Sequence, residues 1–257
     1  MIILAQEDFV NIILSLSSND PFACRIISQY NSYSPNLAFV DYWTVIDDEK
    51  GYCTGAISRC GTNFILFLTD NTDINEVSSF MRVAGASSII CNSEYKLDLY
   101  GSKSVTGVIL KKNSPYEIFD NSINVREPDI KSAYELIVKC ADENFVPPLF
   151  DDFYVDVNHK LRHNTMRMCG IYEAEELVAV AMTVAESDSG AVLGAVSCHP
   201  DYRKHGYGSS IVKYISNILI NENKIVYLHR AKNANRSFYS TLGFEEAGGW
   251  CEYYFER

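Results

Sequence analysis

A basic loop that contains two glycines separates a predicted strand from a predicted helix in the second half of the chain. The loop reads PDYRKHGYGSS from Pro200 to Ser210, and apolar residues at helical spacing follow it. The start of a helix presents unpaired backbone N–H groups, and glycines allow close approach and left-handed dihedrals. Arg203, Lys204 and His205 add positive charge beside these groups. The stretch therefore predicts a binding site for a diphosphate.

Spacing excludes two other phosphate-binding motifs. No G-x-x-x-x-G-K-[ST] sequence occurs, which excludes a P-loop. Ile211 stands where the third glycine of G-x-G-x-x-G would be, so a dinucleotide-binding fingerprint is excluded as well. The pattern that remains is R-x-x-G-x-G between a strand and a helix.

Composition and charge narrow the classes of protein that fit this chain. Its 257 residues are 47% hydrophobic and 21% charged, which is typical of soluble globular proteins. The net charge of -11 argues against binding nucleic acid or an anionic membrane, which requires a broad basic surface. No apolar run approaches the roughly 20 residues that span a bilayer. Glu7 and Asp8 stand where a secretory signal has basic residues, so we expect a cytoplasmic protein.

The 8 cysteines are scattered, without a C-x-x-C pair or a histidine at zinc-finger spacing. This spacing predicts reduced thiols and no metal site. No histidine is arranged in the sequence to mark Cys198 as an activated nucleophile, which argues against a covalent acyl-enzyme.

A polar, turn-rich stretch, KKNSPYEIFDNS, predicts a domain boundary near residue 118. It divides the chain into a first domain, 1–118, and a second domain, 119–257. The second domain is predicted to be mixed α/β, with a helix, several strands and a polar segment over 151–164. The first domain also shows the patterns of strands and helices.

Two stretches of the second half occur in the order that is typical of a known superfamily. AVSCHPDYRKHGYGSSIV has a strand that ends before a proline and leads to [RQ]-x-x-G-x-[GA], and RSFYSTLGF has a tyrosine followed by Gly-Phe after the next strand. Together they resemble the GNAT superfamily of acyl-CoA-dependent N-acetyltransferases over residues 123–257. The resemblance implies an α/β fold of the α+β type, with a mixed, mostly antiparallel sheet flanked by helices. It also implies acetyl-CoA as the co-substrate.

The resemblance implies a role for each matching position. The backbone that would pair with the pantetheine arm, where two strands separate, is that of Val196, Ser197 and Cys198. The residues that would surround the diphosphate are Arg203, Lys204, His205, Gly206, Tyr207, Gly208 and Ser209. Tyr239 would lie near the sulfur and protonate the leaving thiolate. Where the superfamily often has an asparagine seven residues before this tyrosine, the chain has Lys232, and Asn235 is the expected cofactor contact, with Asn233 as the alternative.

The sequence leaves the general base open. Glu186 ends a predicted strand that faces the catalytic region, and it is the carboxylate predicted for this role. Other candidates are His199 and four residues of the polar segment, which would form the substrate wall: Asp151, Asp152, His159 and His163. Deprotonation through water would make a dedicated base unnecessary.

The first half lacks the residues of the diphosphate loop. Its strand FILFLT is followed by DNTDINEVSSF, which has no glycine and no basic residue before the predicted helix. A diphosphate would meet carboxylates there. If this half shares the GNAT-like fold, it is a degenerate copy that shapes the acceptor pocket or supports the second domain.

We therefore expect an N-acetyltransferase that moves an acetyl group from acetyl-CoA to a primary amine by direct attack. The acceptor is a small molecule or a peptide, and the sequence identifies neither it nor the oligomeric state. The alternative is a non-catalytic module that binds acyl-CoA as a sensor or recruits a protein partner.

Overall fold

The computed structural model describes residues 1–17, 19–117, 123–142, 145–232 and 234–255. It divides into two compact units, the first formed by Met1–Ile109 with Ala247–Arg257 and the second by Leu110–Glu246. The boundary predicted near residue 118 lies outside the described residues.

The strands and helices of the described residues have the following bounds. The strands are β1 (Ile2–Leu4), β2 (Val40–Ile46), β3 (Cys53–Cys60), β4 (Asn63–Leu68), β5 (Ser88–Asn92), β6 (Ser102–Lys112), β7 (Val125–Arg126), β8 (Met168–Glu173), β9 (Glu176–Glu186), β10 (Gly190–Cys198), β11 (Ile225–Ala231) and β12 (Glu245–Phe255). The helices are α1 (Phe9–Leu16), α2 (Pro21–Ser32), α3 (Ile74–Val83), α4 (Ile130–Lys139), α5 (Phe150–Arg162), α6 (Tyr207–Asn221) and α7 (Arg236–Thr241).

The first unit has the strand order β1-β2-β3-β4-β5-β12. Neighbouring strands are antiparallel, except that β4 and β5 are parallel and are connected through α3. Apolar side chains of β4, β5 and α3 form its core, in which Leu66, Val77, Met81 and Ile89 are almost fully buried. This unit is completed by β12, which pairs with β5 from Trp250 to Tyr254.

The second unit has the strand order β11-β10-β9-β8-β7. Its strands are also antiparallel except for one parallel pair, β10 and β11, which α6 connects. Helices α4 and α5 pack on β8 and β9 through an apolar core that includes Ile137, Val157 and Val180. The predicted mixed, mostly antiparallel sheet flanked by helices is confirmed.

Both units therefore repeat one succession of elements: antiparallel strands, a helix and a strand parallel to the one before the helix. In the first unit these elements end with β4, α3 and β5, and in the second with β10, α6 and β11. Within the described ranges, no helix is long and apolar enough to span a membrane.

The polar segment predicted over 151–164 is mostly helical, as α5. Its sequence has acidic residues at the helix start and basic residues in the last turn, which suits the helix dipole. Phe153 and Val157 lie four residues apart and are its buried residues. Such a short apolar stripe is easily missed beside so many charges.

Candidate active site

The second unit contains a cleft where two parallel strands separate. The strands β10 and β11 pair only over Gly190–Leu193 and Ile225–Leu228, all of them described residues. Beyond this point Gly194–Ser197 of β10 and His229–Ala231 of β11 line the narrower part of the cleft, which has a volume of about 200 Å³. The separation leaves backbone groups of both strands available to a ligand.

A bulge in β10 directs the backbone at this separation. Against β9, the pairing moves from Gly194 with Met182 to Ser197 with Val180, so β10 contains one extra residue. Within it, Ala195 has a φ of 47°, in the left-handed region. Gly194 permits the close approach of β9, because a Cβ there would lie 2.5 Å from Cγ1 of Val184.

The wider part of the cleft, about 470 Å³, opens onto the predicted diphosphate loop. Lys204 and Gly206 have φ angles of 65° and 89°, and α6 begins at the next residue without a side-chain cap. The first turn of α6 therefore has backbone N–H groups that can bind an external partner, although that of Gly208 bonds the Cys198 thiol. Arg203 donates a hydrogen bond from Nε to the carbonyl of Cys198, 3.2 Å away, which ties the loop to the end of β10. An uncapped, glycine-bordered helix start with two cations fits a diphosphate.

Most residues predicted to contact the cofactor line this wider part. They are Val196, Ser197, Cys198, Arg203, Lys204, Gly206, Gly208, Ser209 and Asn235. The structure does not place His205 and Tyr207 among the lining residues. His205 is exposed, and the Tyr207 hydroxyl donates to Oε1 of Glu173 at 2.7 Å, away from the cleft.

The cysteine that ends β10 is not set up as a nucleophile. Burial raises the pKa of the Cys198 thiol, and its neighbour Cys140 adds to this effect. The backbone N–H of Gly208 and the charge of Arg203 offset part of it. Cys140 itself donates to the Cys198 carbonyl at 3.2 Å. A protonated thiol agrees with direct attack, as the resemblance implies.

Tyr239 lines both parts of the cleft and is 7% exposed. Its ring is held between Phe238 and Phe244, with ring centroids at 4.9 and 5.8 Å. Burial raises the pKa of Tyr239 to about 12, although Arg230 lowers it slightly. The phenol is therefore protonated at neutral pH and can donate a proton or a hydrogen bond into the cleft.

Arg230 fixes the turn that presents α7 and Tyr239. Its Nη1 donates to the backbone carbonyls of Ala231, Lys232 and Ala234 at 2.9 to 3.1 Å. Asn235 follows with a φ of 51° and begins α7. The buried guanidinium thus replaces the missing regular hydrogen bonds of this turn.

Glu186, the predicted general base, is not among the described residues that line the cleft. Glu186 pairs with Ala191 near the start of β10, two residues before Leu193, where the lining of the cleft begins. Its carboxylate accepts hydrogen bonds from Arg167, Lys224 and Thr183 at 2.7 to 2.9 Å. Burial alone would raise the pKa of Glu186, but these three donors hold it below its usual value.

The other base candidates also lie outside the cleft lining. His199 is buried beside the Lys139 ammonium and accepts from the Asp201 N–H at 3.2 Å. His159 and His163 stack on each other at the end of α5, with ring centroids 4.1 Å apart. The remaining two candidates, in the first turn of α5, are Asp151 and Asp152.

Three further residues with chemically active or selective side chains line the narrower part. They are Asp142 and Phe145, from the chain after α4, and His229 of β11. No motif marks them in the sequence, although His229 directly follows a run of buried strand residues. A histidine at the end of such a run, just before the predicted Tyr239 segment, is the signal that could have identified it. Within the described ranges, no three potential metal ligands come together.

Comparisons with known proteins agree with this geometry. Residues 168–255 match the family model described as FR47-like protein. The tandem GNAT protein from the clavulanic acid biosynthesis pathway is 11% identical, with a TM-score of 0.59 over 98% of this chain and 97% of that chain. The GCN5-related N-acetyltransferase from Sphaerobacter thermophilus is 10% identical, with a TM-score of 0.58 over 98% and 94% of the two chains. The chain has the GNAT fold.

A third solved structure with the GNAT fold is equally distant in sequence. The acetyltransferase from the GNAT family from Colwellia psychrerythraea is 10% identical, with a TM-score of 0.55 over 100% of both chains. No curated protein sequence matches the chain significantly.

Both units carry the same succession of strand, helix and strand, yet the two helix starts differ. In the first unit the Asp73 carboxylate caps α3 and accepts from the N–H groups of Asn75 and Glu76 at 2.9 and 3.1 Å. This anion occupies the place that a diphosphate would take. We therefore keep the expectation that the first half does not hold CoA in this way.

Proposed function

We propose that the chain is an N-acetyltransferase that moves an acetyl group from acetyl-CoA to a primary amine. The observation that carries this proposal is one continuous cleft, in which the uncapped start of α6, the separated strands and Tyr239 meet. The likeness to acetyltransferases of the GNAT fold supports acyl transfer as the reaction class.

The wider part of the cleft suits the nucleotide end of the donor. Arg203, Lys204 and the N–H groups of α6 would hold the diphosphate by charge and hydrogen bonds. Backbone groups of the β10 bulge would pair with the pantetheine amides. This arrangement would place the thioester, which supplies the acetyl group, in the narrower part beside Tyr239.

The narrower part supplies both proton transfers that the reaction requires. The C–N bond forms as the C–S bond breaks, so the nitrogen loses a proton and the sulfur gains one. We assign His229, which is the imidazole among the described lining residues, as the group that accepts the proton from nitrogen. The Tyr239 hydroxyl donates the proton to sulfur. The products are an N-substituted acetamide and free CoA.

The role of Tyr239 is tested by following thiol release from acetyl-CoA with a panel of primary amines. We expect Tyr239→Phe to lower kcat about 100-fold, because general acid catalysis contributes that much or more. Tyr100→Phe, at a tyrosine 96% exposed in the first unit, is the matched control. Turnover of Tyr239→Phe at the wild-type rate would remove the assigned role. Tight CoA binding without turnover of any amine would favour the acyl-CoA sensor.

The role of His229 predicts a change in the shape of the pH profile. In His229→Gln, kcat should fall about 100-fold at neutral pH. The decrease of kcat toward acidic pH should then reflect only the protonation of the amine substrate. His163→Gln, at an exposed histidine at the end of α5, should leave the profile unchanged. An unaltered acidic limb in His229→Gln would show that water or another group takes the proton.

A further inference from the structure

Two residues that line the narrower part of the cleft, Asp142 and Phe145, suggest which acceptor it binds. A tight bridge joins Asp142 and Phe145: each backbone N–H donates to the other residue's carbonyl at 3.2 Å. The bridge holds a carboxylate and an aromatic ring at neighbouring positions of one wall. Among the described residues that line either part of the cleft, Asp142 is the only acid.

The chain continues from Phe145 as an exposed apolar surface. Phe145 is 42% exposed, Val146 82% and Leu149 77%, and the hydroxyl of Tyr134 donates to the Pro148 carbonyl at 2.8 Å. Rings extend this surface onto α5, since Phe150 contacts Tyr134 and Tyr154 with centroids 5.1 and 5.7 Å apart. We call Phe145, Val146, Leu149, Phe150 and Tyr154 the apolar wall. Phe145 of this wall lines the cleft, and exposed apolar side chains follow it directly in the chain, as is typical of a ligand-binding surface.

The charge of this segment favours a cation. Between Lys139 and Lys160 the sequence has no lysine or arginine, whereas it has five acids, Asp142, Glu143, Asp151, Asp152 and Asp156. An ammonium group is attracted to such a segment and an anionic acceptor is repelled. A polyamine would need several carboxylates along its path, but the described lining offers one.

We propose that the acceptor is a small primary amine that carries an alkyl or aromatic group. The inference rests on the proposed function and deepens it. Asp142 binds the ammonium, which loses one proton to solvent before the neutral nitrogen attacks, and Phe145 with the apolar wall covers the substituent. The narrower part, about 200 Å³, has the volume of about seven liquid waters, which suits an amine head and the first atoms of its substituent.

The test compares hexylamine and 2-phenylethylamine with propylamine and spermidine at saturating acetyl-CoA, with thiol release as the readout. Each buried methylene contributes about 0.8 kcal/mol, or about a factor of four. We expect kcat/KM for hexylamine to exceed that for propylamine at least tenfold. Spermidine should be the poorest of the four.

Two variants assign the preference to named side chains. In Phe145→Ser, KM for hexylamine should rise about tenfold while KM for propylamine changes little. In Asp142→Asn, KM should rise about tenfold for both amines. Asp188→Asn is the matched control, because Asp188 is exposed at the β9–β10 turn, away from the cleft. Thermal melting shows whether each variant is folded.

The outcomes separate this inference from the proposed function. Equal kcat/KM for hexylamine and propylamine, or a preference for spermidine, refutes the inference and leaves N-acetyl transfer standing. Normal KM values in both Asp142→Asn and Phe145→Ser refute it in the same way. Thiol release with none of the amines, despite CoA binding measured by calorimetry, refutes the proposed function and the inference with it.

Discussion

At the scale of single residues, the diphosphate loop depends on the backbone freedom of Gly206. This residue has a φ of 89°, and a Cβ built on it would contact no atom within 4 Å. The need for glycine is therefore conformational rather than steric. Its left-handed dihedral turns the chain into α6, so that the first N–H groups of the helix face the cleft.

Replacement of Gly206 by alanine should weaken CoA binding. The left-handed dihedral costs a residue with a Cβ about 1–2 kcal/mol, which relaxation of the loop would relieve at the expense of the N–H geometry. We expect the Kd for CoA to rise about tenfold by calorimetry. Gly101→Ala is the control, since Gly101 has a φ of 79° and equally open surroundings in the first unit. Equal CoA affinity in the two variants would contradict the role of the loop geometry.

At the scale of elements, the bulge in β10 sets where the strands separate. It requires close packing of β9 on β10, because Gly194 lies directly against Val184. The sequence predicted the strand β10, the glycine loop and the helix α6, since each has a recognisable local pattern of residues. The bulge could not be predicted, because it is defined by the pairing register of β10 against β9 and not by residue type.

The contact between Gly194 and Val184 predicts a specific double-mutant result. Gly194→Ala should lower the free energy of unfolding by about 1–3 kcal/mol, because its Cβ would overlap the valine methyl. Val184→Ala removes that methyl and should restore most of the loss in the double variant. Urea unfolding of the four proteins gives the coupling energy. Additive effects would show that the bulge tolerates the extra carbon by another route.

Two limits of sequence-based prediction at this scale have physical reasons. Glu186 ends β9 as predicted, but strand direction places that end beside the start of β10 and not beside the cleft. Asp142 and Phe145 come from one short segment far before His229 in the sequence, and the fold brings this segment to His229. Glycine spacing is local, and therefore the diphosphate loop could be found without a structure.

At the scale of the whole molecule, a cluster of charged side chains links the end of β9 to Arg167, Glu222 and Lys224. Glu186 is 4% exposed and accepts from Arg167 and Lys224, while Arg167 also bonds Glu222 at 2.8 Å. The pKa values of Glu186 and Glu222 are both lowered, in spite of burial, by these cations. A carboxyl with a lowered pKa in the folded state stabilises the protein above its unfolded pKa. That stability is lost as the pH falls through the folded pKa.

Glu186→Gln should therefore destabilise the protein at neutral pH by about 1–3 kcal/mol, because it removes the buried charge that faces Arg167 and Lys224, which keep only Glu222 as an anionic partner in this cluster. Below pH 4.5, the ordinary value for this carboxyl, the difference from the wild type should shrink. Glu175→Gln removes an exposed partner of Arg126 and should have no measurable effect. Thermal melts between pH 3 and 8 measure both variants. The folded Glu186→Gln variant should have the kcat of the wild type. A large loss of kcat would instead support a catalytic role for Glu186.

The two helix starts predict how many CoA molecules one chain binds. Because Asp73 caps α3, calorimetry should give one CoA per chain. The double variant Arg203→Glu with Lys204→Glu should abolish all binding, since both substitutions affect the site at α6. Residual binding in that variant, or two CoA per chain, would show that the first unit holds the ligand by a different geometry.

The pairing of β12 with β5 has a consequence for biosynthesis. During translation β5 emerges long before its partner strand, and the entire second unit is made in between. Until β12 arrives, β5 presents open hydrogen-bonding groups on that side, which is the condition for strand-mediated aggregation. The sheet of the first unit can therefore be completed only after its last strand has been made.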